Sequence, residues 1–178
     1  MSIGKSDLRI QARAHRASLT CAQRAASAGA LLDALAPWTG ARVAAYASTG
    51  DEPGTQPLLD AFDDVLLPVL LEDGDLDWAV HDGPLVEGLR GTWQPPGPRL
   101  GTAAVAGCDV VVVPALGVDR AGTRLGRGGG SYDRALRRTA GLTVAALHDG
   151  ELHEHLPAEP HDVPVAAVVL PSRGLVRL

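Results

Sequence analysis

Asparagine is absent from this sequence, lysine occurs once, and aromatic residues make up only 3% of its 178 positions. With so few rings, the core has to be built from the Ala, Val and Leu behind a hydrophobic fraction of 46%. Such side chains suit parallel strands covered by helices on both faces, where small and β-branched groups stack in layers. Cysteine is scarce as well. Cys21 and Cys108 stand far apart without metal-type spacing, which argues against a disulfide framework and points to a reducing, cytoplasmic setting. Basic charge does not prevail: the net charge of −5 argues against general nucleic-acid binding. Apolar runs such as Val110–Val113 are far too short to cross a bilayer. The N-terminal stretch is charged from Lys5 onward and lacks the apolar segment of a signal peptide. The expectation is one compact domain over residues 1–178, acting as a monomer without membrane or nucleic-acid partners.

Helical spacing of Leu8, Ala12, Leu31, Leu32 and Leu35 predicts helix over 5–36. A break is expected at Ser18–Thr20, with Thr20 and Gln23 forming a capping box, and Pro37 ends the run. Arg42–Ala47 reads as a short buried strand, Thr55 as the cap of a helix through Phe62, and Val65–Leu71 as a strand that Pro68 shortens or bends. Residues 72–106 are irregular, with a short strand at Asp77–His81 and a loop at Trp93–Gly97. Trp93 is open to two readings, core anchor or stacking wall for a flat ligand. Asp109–Val113 is the clearest strand, a continuous apolar run of the parallel-sheet type. Tyr132–Thr139 then reads as helix, and Thr143–Leu147 and Val165–Leu170 as strands. This alternation predicts a three-layer α/β/α domain with a mainly parallel sheet.

The segment Arg124-Leu125-Gly126-Arg127-Gly128-Gly129-Gly130-Ser131-Tyr132-Asp133 carries the chemistry. Its glycines let the backbone turn N–H groups inward, a helix N-terminus follows, and Arg124 and Arg127 add positive charge. Asp133 is placed either to cap that helix or to hold a metal ion bridging phosphates. The pattern suits a polyphosphate. It is not a Walker A loop, which would have lysine where Ser131 stands, nor a dinucleotide fingerprint, whose last glycine Ser131 replaces. Lys5 has two readings: a compact ammonium kept where arginine will not serve, or chance near the terminus.

The stretch Asp109–Asp133 (DVVVVPALGVDRAGTRLGRGGGSYD) closely resembles the signature of the 5-formyltetrahydrofolate cyclo-ligase family. Weaker matches run through the rest of the chain: Lys5-Ser6-Asp7-Leu8-Arg9 at the N-terminus, Tyr46–Thr55 with its turn, and Pro160–Pro164. The resemblance implies a NagB/ribose-5-phosphate isomerase/CoA-transferase type of fold, with ATP and a reduced folate meeting across the glycine loop. It places Lys5–Arg9 and Arg124–Tyr132 at ATP, with Lys5, Arg124 and Arg127 acting on the phosphates. Arg9, Ala47, Glu52 and Arg127–Ser131 fall at the folate, and Asp133 and Asp162 at Mg²⁺. The activity implied is ATP-dependent closure of 5-formyltetrahydrofolate to 5,10-methenyltetrahydrofolate. A divergent member that binds nucleotide with altered or lost folate activity is the alternative. Three departures motivate it: Ser131 for the first of two tyrosines, Gly54 for an acid before Thr55, and Val118 for phenylalanine. Finally, His148, His153, His155 and His161 lie among Asp149, Glu151, Glu154 and Asp162 without a strict ligand pattern, and read as a solvated, exposed loop.

Overall fold

The computed structural model describes residues 4–178. Helices α1 (Lys5–Ser18) and α2 (Cys21–Leu35) are separated where the capping box was expected. The Thr20 hydroxyl accepts from the Gln23 amide at 3.2 Å, and the Gln23 side-chain oxygen accepts from the Thr20 amide at 2.9 Å. Pro37 lies in a single 3₁₀ turn, Ala36–Trp38, that closes α2. Helix α3 spans Gln56–Ala61 and α4 spans Ser131–Leu136.

Twelve strands follow in chain order: β1 (Val43–Ala44), β2 (Val65–Leu70), β3 (Leu76–Val80), β4 (Val86–Glu87), β5 (Trp93–Gln94) and β6 (Val110–Pro114). The remainder are β7 (Gly117–Asp119), β8 (Arg124–Leu125), β9 (Leu142–Ala146), β10 (Leu152–His153), β11 (Ala167–Leu170) and β12 (Gly174–Arg177). Seven of them form one sheet in the order β12-β11-β9-β6-β1-β2-β3. Its five inner strands are parallel, and each edge strand is antiparallel to its neighbour.

The apolar run in β6 shows why such a sheet is written in uninterrupted valine. Val110 and Val112 pack on one face with Leu31, Leu35, Leu58 and Leu59 of α2 and α3. Val111 and Val113 pack on the other with Trp78, Val105, Ala135 and Leu136. Both faces are covered, so the period of two is hidden in the sequence. At roughly 25 cal/mol per Å² of buried apolar surface, these layers supply the main drive to fold.

Two expectations are corrected. Pro68 does not end β2 early, because pairing with β1 stops at Leu66 and leaves no partner on that side for the missing N–H. Trp93-Gln94 is not loop but β5, paired with β4 in a two-stranded hairpin.

Candidate active site

The strand order reverses direction between β1 and β6. From β1 the chain moves through α3 to β2 on one side, and from β6 through α4 to β9 on the other. Crevices outside the carboxyl ends of parallel strands form at such switch points. A cavity of about 450 Å³ opens there, lined by Tyr46 and Ala47 beyond β1 and by Pro114, Ala115 and Leu116 where β6 ends.

Both ends of the described chain reach it, the N-terminal helix with cations and the C-terminal segment with the carboxylates Glu159 and Asp162. Lys5 and Arg9 of α1 line the cavity one helical turn apart, with Arg16 further along the same face at 4-3-4 spacing through Ala12. Lys5 Nζ donates to Asp162 Oδ2 at 2.7 Å and lies 3.7 Å from Glu159. Arg9 Nε donates to the Gly126 carbonyl at 2.8 Å, tying α1 to the glycine loop. Burial pushes the Asp162 carboxyl up, but the bonds from Lys5 and the Glu159 amide outweigh it and hold the group below the usual carboxylate range.

The glycine loop leaves a small three-stranded sheet, β10-β7-β8, and enters α4. Gly128 has φ of 104° and Gly130 has φ of 69°, conformations that side chains with a Cβ rarely adopt. A Cβ on Gly128 would also meet the Arg9 guanidinium at 3.5 Å. Helix α4 has only six residues, so the expected dipole contributes little beside the lysine and arginine side chains that line the cavity.

Arg124 is buried and only partly paired. Its side chain is only 6% exposed, with Nη1 donating to the Pro114 carbonyl and Nη2 to Asp133 Oδ2, each at 3.2 Å. Its guanidinium sits 5.7 Å over the Tyr132 ring, and its buried Nε has no hydrogen-bond partner among the described residues. Burial, and then the charge of Glu52, raise the Tyr132 phenol above its ordinary value.

Opposite the loop, Glu52 presents Oε1 to Arg127 Nη2 at 3.0 Å, while Oε2 accepts from the Thr49 amide at 2.8 Å. Arg127 is 59% exposed, so this bridge is weakly held from its own side. Trp93 is 47% exposed and lines the cavity from the β4–β5 hairpin, next to Arg90, Gly91 and Thr92. The core-anchor reading of Trp93 therefore falls.

Residues 2–171 match the model of the 5-formyltetrahydrofolate cyclo-ligase family. The chain belongs to that family. It is 41% identical to a 5-formyltetrahydrofolate cyclo-ligase of Mycolicibacterium smegmatis, covering 98% of this chain and 97% of the relative. A cyclo-ligase of Escherichia coli K12 is 36% identical over 74% of this chain and 78% of its own length. The NMR structure of the Aquifex aeolicus 5,10-methenyltetrahydrofolate synthetase superposes with a TM-score of 0.82 at 27% identity, covering 98% of this chain and 92% of that one.

Most residues assigned by the family resemblance meet around this one cavity: Lys5, Arg9, Ala47, Glu52, Arg124, Gly126–Asp133 and Asp162 all line it. Four do not. Ser6 and Asp7 are exposed, while Leu8 and Leu125 pack together with Leu116 and Leu156 in an apolar cluster behind the loop. A five-residue helical motif cannot turn every side chain to one face.

Two of the family departures lie away from the cavity lining. Val118 is fully buried in β7 within the core, and a Cβ on Gly54 would meet Ala28 Cβ of α2 at 3.1 Å. Glycine there admits the helix. Ser131 does line the cavity, where it leaves room that a larger ring would fill. The solvated reading of the histidine-rich segment holds for His155 and Glu154, whose side chains are 87% and 81% exposed. It fails for His148 and Glu151, which are buried. Glu151 is paired with Arg16, a cavity-lining residue that its spacing from Lys5 and Arg9 would have revealed.

Proposed function

We propose that the chain, acting as one monomeric domain, uses ATP to close 5-formyltetrahydrofolate into 5,10-methenyltetrahydrofolate, with release of ADP and phosphate. One observation carries the reading. A single cavity has cations and loop amides on one wall and a half-buried carboxylate with an aromatic edge on the other. The cationic wall suits a triphosphate, and the Glu52 and Trp93 wall suits the polar, flat head of a reduced folate. Membership of the family names the reaction that joins the two.

A formyl oxygen is a poor leaving group, so the reaction begins by converting it. The formyl oxygen takes the γ-phosphoryl group and ADP departs. N10 then attacks the formyl carbon, the C–O bond breaks with phosphate leaving, and N10 gives up its proton. Both nitrogens belong to the same molecule, so the protein's task is alignment and charge stabilisation. Lys5, Arg9, Arg124, Arg127 and the amides of residues 126–130 hold the phosphates. The orphaned Arg124 Nε is an unmet donor of the kind a phosphate oxygen satisfies. Glu52 orients the folate, and Tyr132, kept neutral, forms part of the wall beside it.

Asp162 and Asp133 would hold Mg²⁺. The donor chemistry fits: both are oxygen ligands, and Asp162 Oδ1 accepts no hydrogen bond among the described residues. Asp133 would share its oxygens with Arg124 and the Val163 amide. When bound, the ion supplies positive charge beside the γ-phosphate. Among the described residues, no helix is long and apolar enough to cross a membrane. A cytoplasmic enzyme acting on two small molecules, without nucleic-acid or membrane partners, is the setting we assign.

Mixing the protein with Mg-ATP and 5-formyltetrahydrofolate and following methenyltetrahydrofolate absorbance tests the reading. ATP binding without any product, even at high protein concentration, would overturn it.

A further inference from the structure

Behind the Glu52 wall lies a polar cluster that the reaction itself does not use. His148, Ser27, Glu151 and Arg16 are each 1–2% exposed, although burying such groups is costly unless they are fully paired. Here the pairing is dense. His148 Nε2 lies 3.0 Å from the Asp51 carbonyl, and Nδ1 lies 2.7 Å from Ser27 Oγ. A carbonyl only accepts, so Nε2 carries a proton. In the neutral ring Nδ1 then accepts from the Ser27 hydroxyl. The backbone amide of His148 donates to Glu151 Oε2 at 2.9 Å, and the same carboxylate grips Arg16. The ring is therefore held at Nδ1 from α2 and at Nε2 by the Asp51 carbonyl, while Glu151 holds the backbone that carries it.

What that orientation controls is one peptide plane. The Asp51 carbonyl and the Glu52 amide belong to the same peptide group. Its carbonyl end is held by His148, and its N–H end donates to the Thr49 carbonyl at 3.2 Å. With both ends held, ψ of residue 51 and φ of residue 52 are set, and with them the direction in which the Glu52 side chain leaves the backbone. Further along the turn, Tyr46 Oη donates to the Pro53 carbonyl at 2.9 Å, which limits drift at the other end.

We propose that His148 is a positioning residue for Glu52: through the Asp51 carbonyl it aims that carboxylate into the cavity at the reduced folate. The inference rests on reading Glu52 as the folate-side carboxylate. His148 touches neither substrate; it acts through the peptide it holds.

The experiment compares wild type with His148→Leu and His148→Gln, the latter offering a side-chain N–H at nearly the position of the imidazole Nε2. Steady-state kinetics are taken in each substrate, with the thermal midpoint and peptide-level hydrogen exchange over 49–55 measured alongside. His148→Leu should raise KM for 5-formyltetrahydrofolate by roughly ten-fold, the loss of about one well-placed charged contact. It should leave KM for ATP within about two-fold, since Lys5, Arg9 and the glycine loop are held elsewhere. Exchange over 49–55 should quicken. His148→Gln should recover most of the folate KM and most of the protection.

Equal rises in both KM values, or a lowered thermal midpoint with unchanged KM values and unchanged exchange in 49–55, would show that His148 merely fills the core and would overturn the proposal. Should wild type form no methenyl product, the folate reading falls by itself. Exchange in 49–55 then still decides whether His148 holds Glu52: acceleration in the leucine variant and recovery in the glutamine variant support it, and no difference refutes it.

Discussion

Removing the carboxylate of Glu151 should destabilise the protein more than any surface change. Its two oxygens accept from Arg16 Nε and Nη2 and from the His148 amide, and both ionic side chains are only 1–2% exposed. In Glu151→Ala the Arg16 guanidinium keeps one short contact, the Ala115 carbonyl, together with a distant Asp51 oxygen at 4.0 Å. The His148 amide loses its acceptor as well. Breaking a buried pair from one side costs about 3–5 kcal/mol, most of it from the charge left behind. For a chain of this length each kcal/mol moves the thermal midpoint by roughly 2–4 °C, so a fall on the order of 10 °C is expected. Equilibrium urea unfolding followed by circular dichroism reads the free energy directly. The double variant Arg16→Met/Glu151→Met is the sharper arm, because replacing both charges with apolar groups of similar volume is often neutral or stabilising. It should regain most of what the single variant loses. A loss below about 1 kcal/mol in Glu151→Ala, or a double variant no better than the single one, would refute the reasoning that an unpaired buried charge dominates.

Lys5→Met should lower kcat/KM for ATP by on the order of 10²-fold, the usual consequence of deleting one charged donor at a reacting phosphate. Lys5→Arg should recover only part of it, and full recovery would end any special role for the lone lysine. Acid stability offers another test. Arg138 bonds Asp75 at 2.8 and 2.6 Å, and those bonds outweigh burial to hold the Asp75 carboxyl below its usual value. Its folded pKa is thus depressed. The stabilisation is present above the unfolded value of about 3.9 and disappears as pH falls through the lower folded value. Urea midpoints measured from neutral pH downward should fall less steeply below about pH 4 in Arg138→Met than in wild type.

The amino-acid sequence by itself determined whatever is written locally. The Thr20–Gln23 capping box needs only neighbouring residues, and it lies where the spacing put it. The valine run at 110–113 reads as a strand buried on both faces and is one, and the arginine-interleaved glycines read as a backbone able to turn where other residues cannot, as Gly128 and Gly130 do. Short strands such as β7, β8 and β10 were not legible, since two or three residues carry no period and exist only because partners distant in sequence arrive beside them. The same holds for Trp93, whose hairpin partner begins at Val86 and whose ring faces the cavity rather than the core.

Only the tertiary structure decided which side chains share a wall. Lys5 meets Asp162 across 157 residues of chain, Arg16 meets Glu151 across 135, and His148 reaches Asp51 across 97. Nothing in the local order of residues distinguishes His148 from the exposed His155 seven positions later. What separates them is the end of β9, an inner strand, which leaves the first buried against α2 while the second follows the chain out into water. Local sequence specifies dihedral angles and periodicity. Burial, and with it the energetic weight of a charge or a ring nitrogen, is a property of everything packed around it.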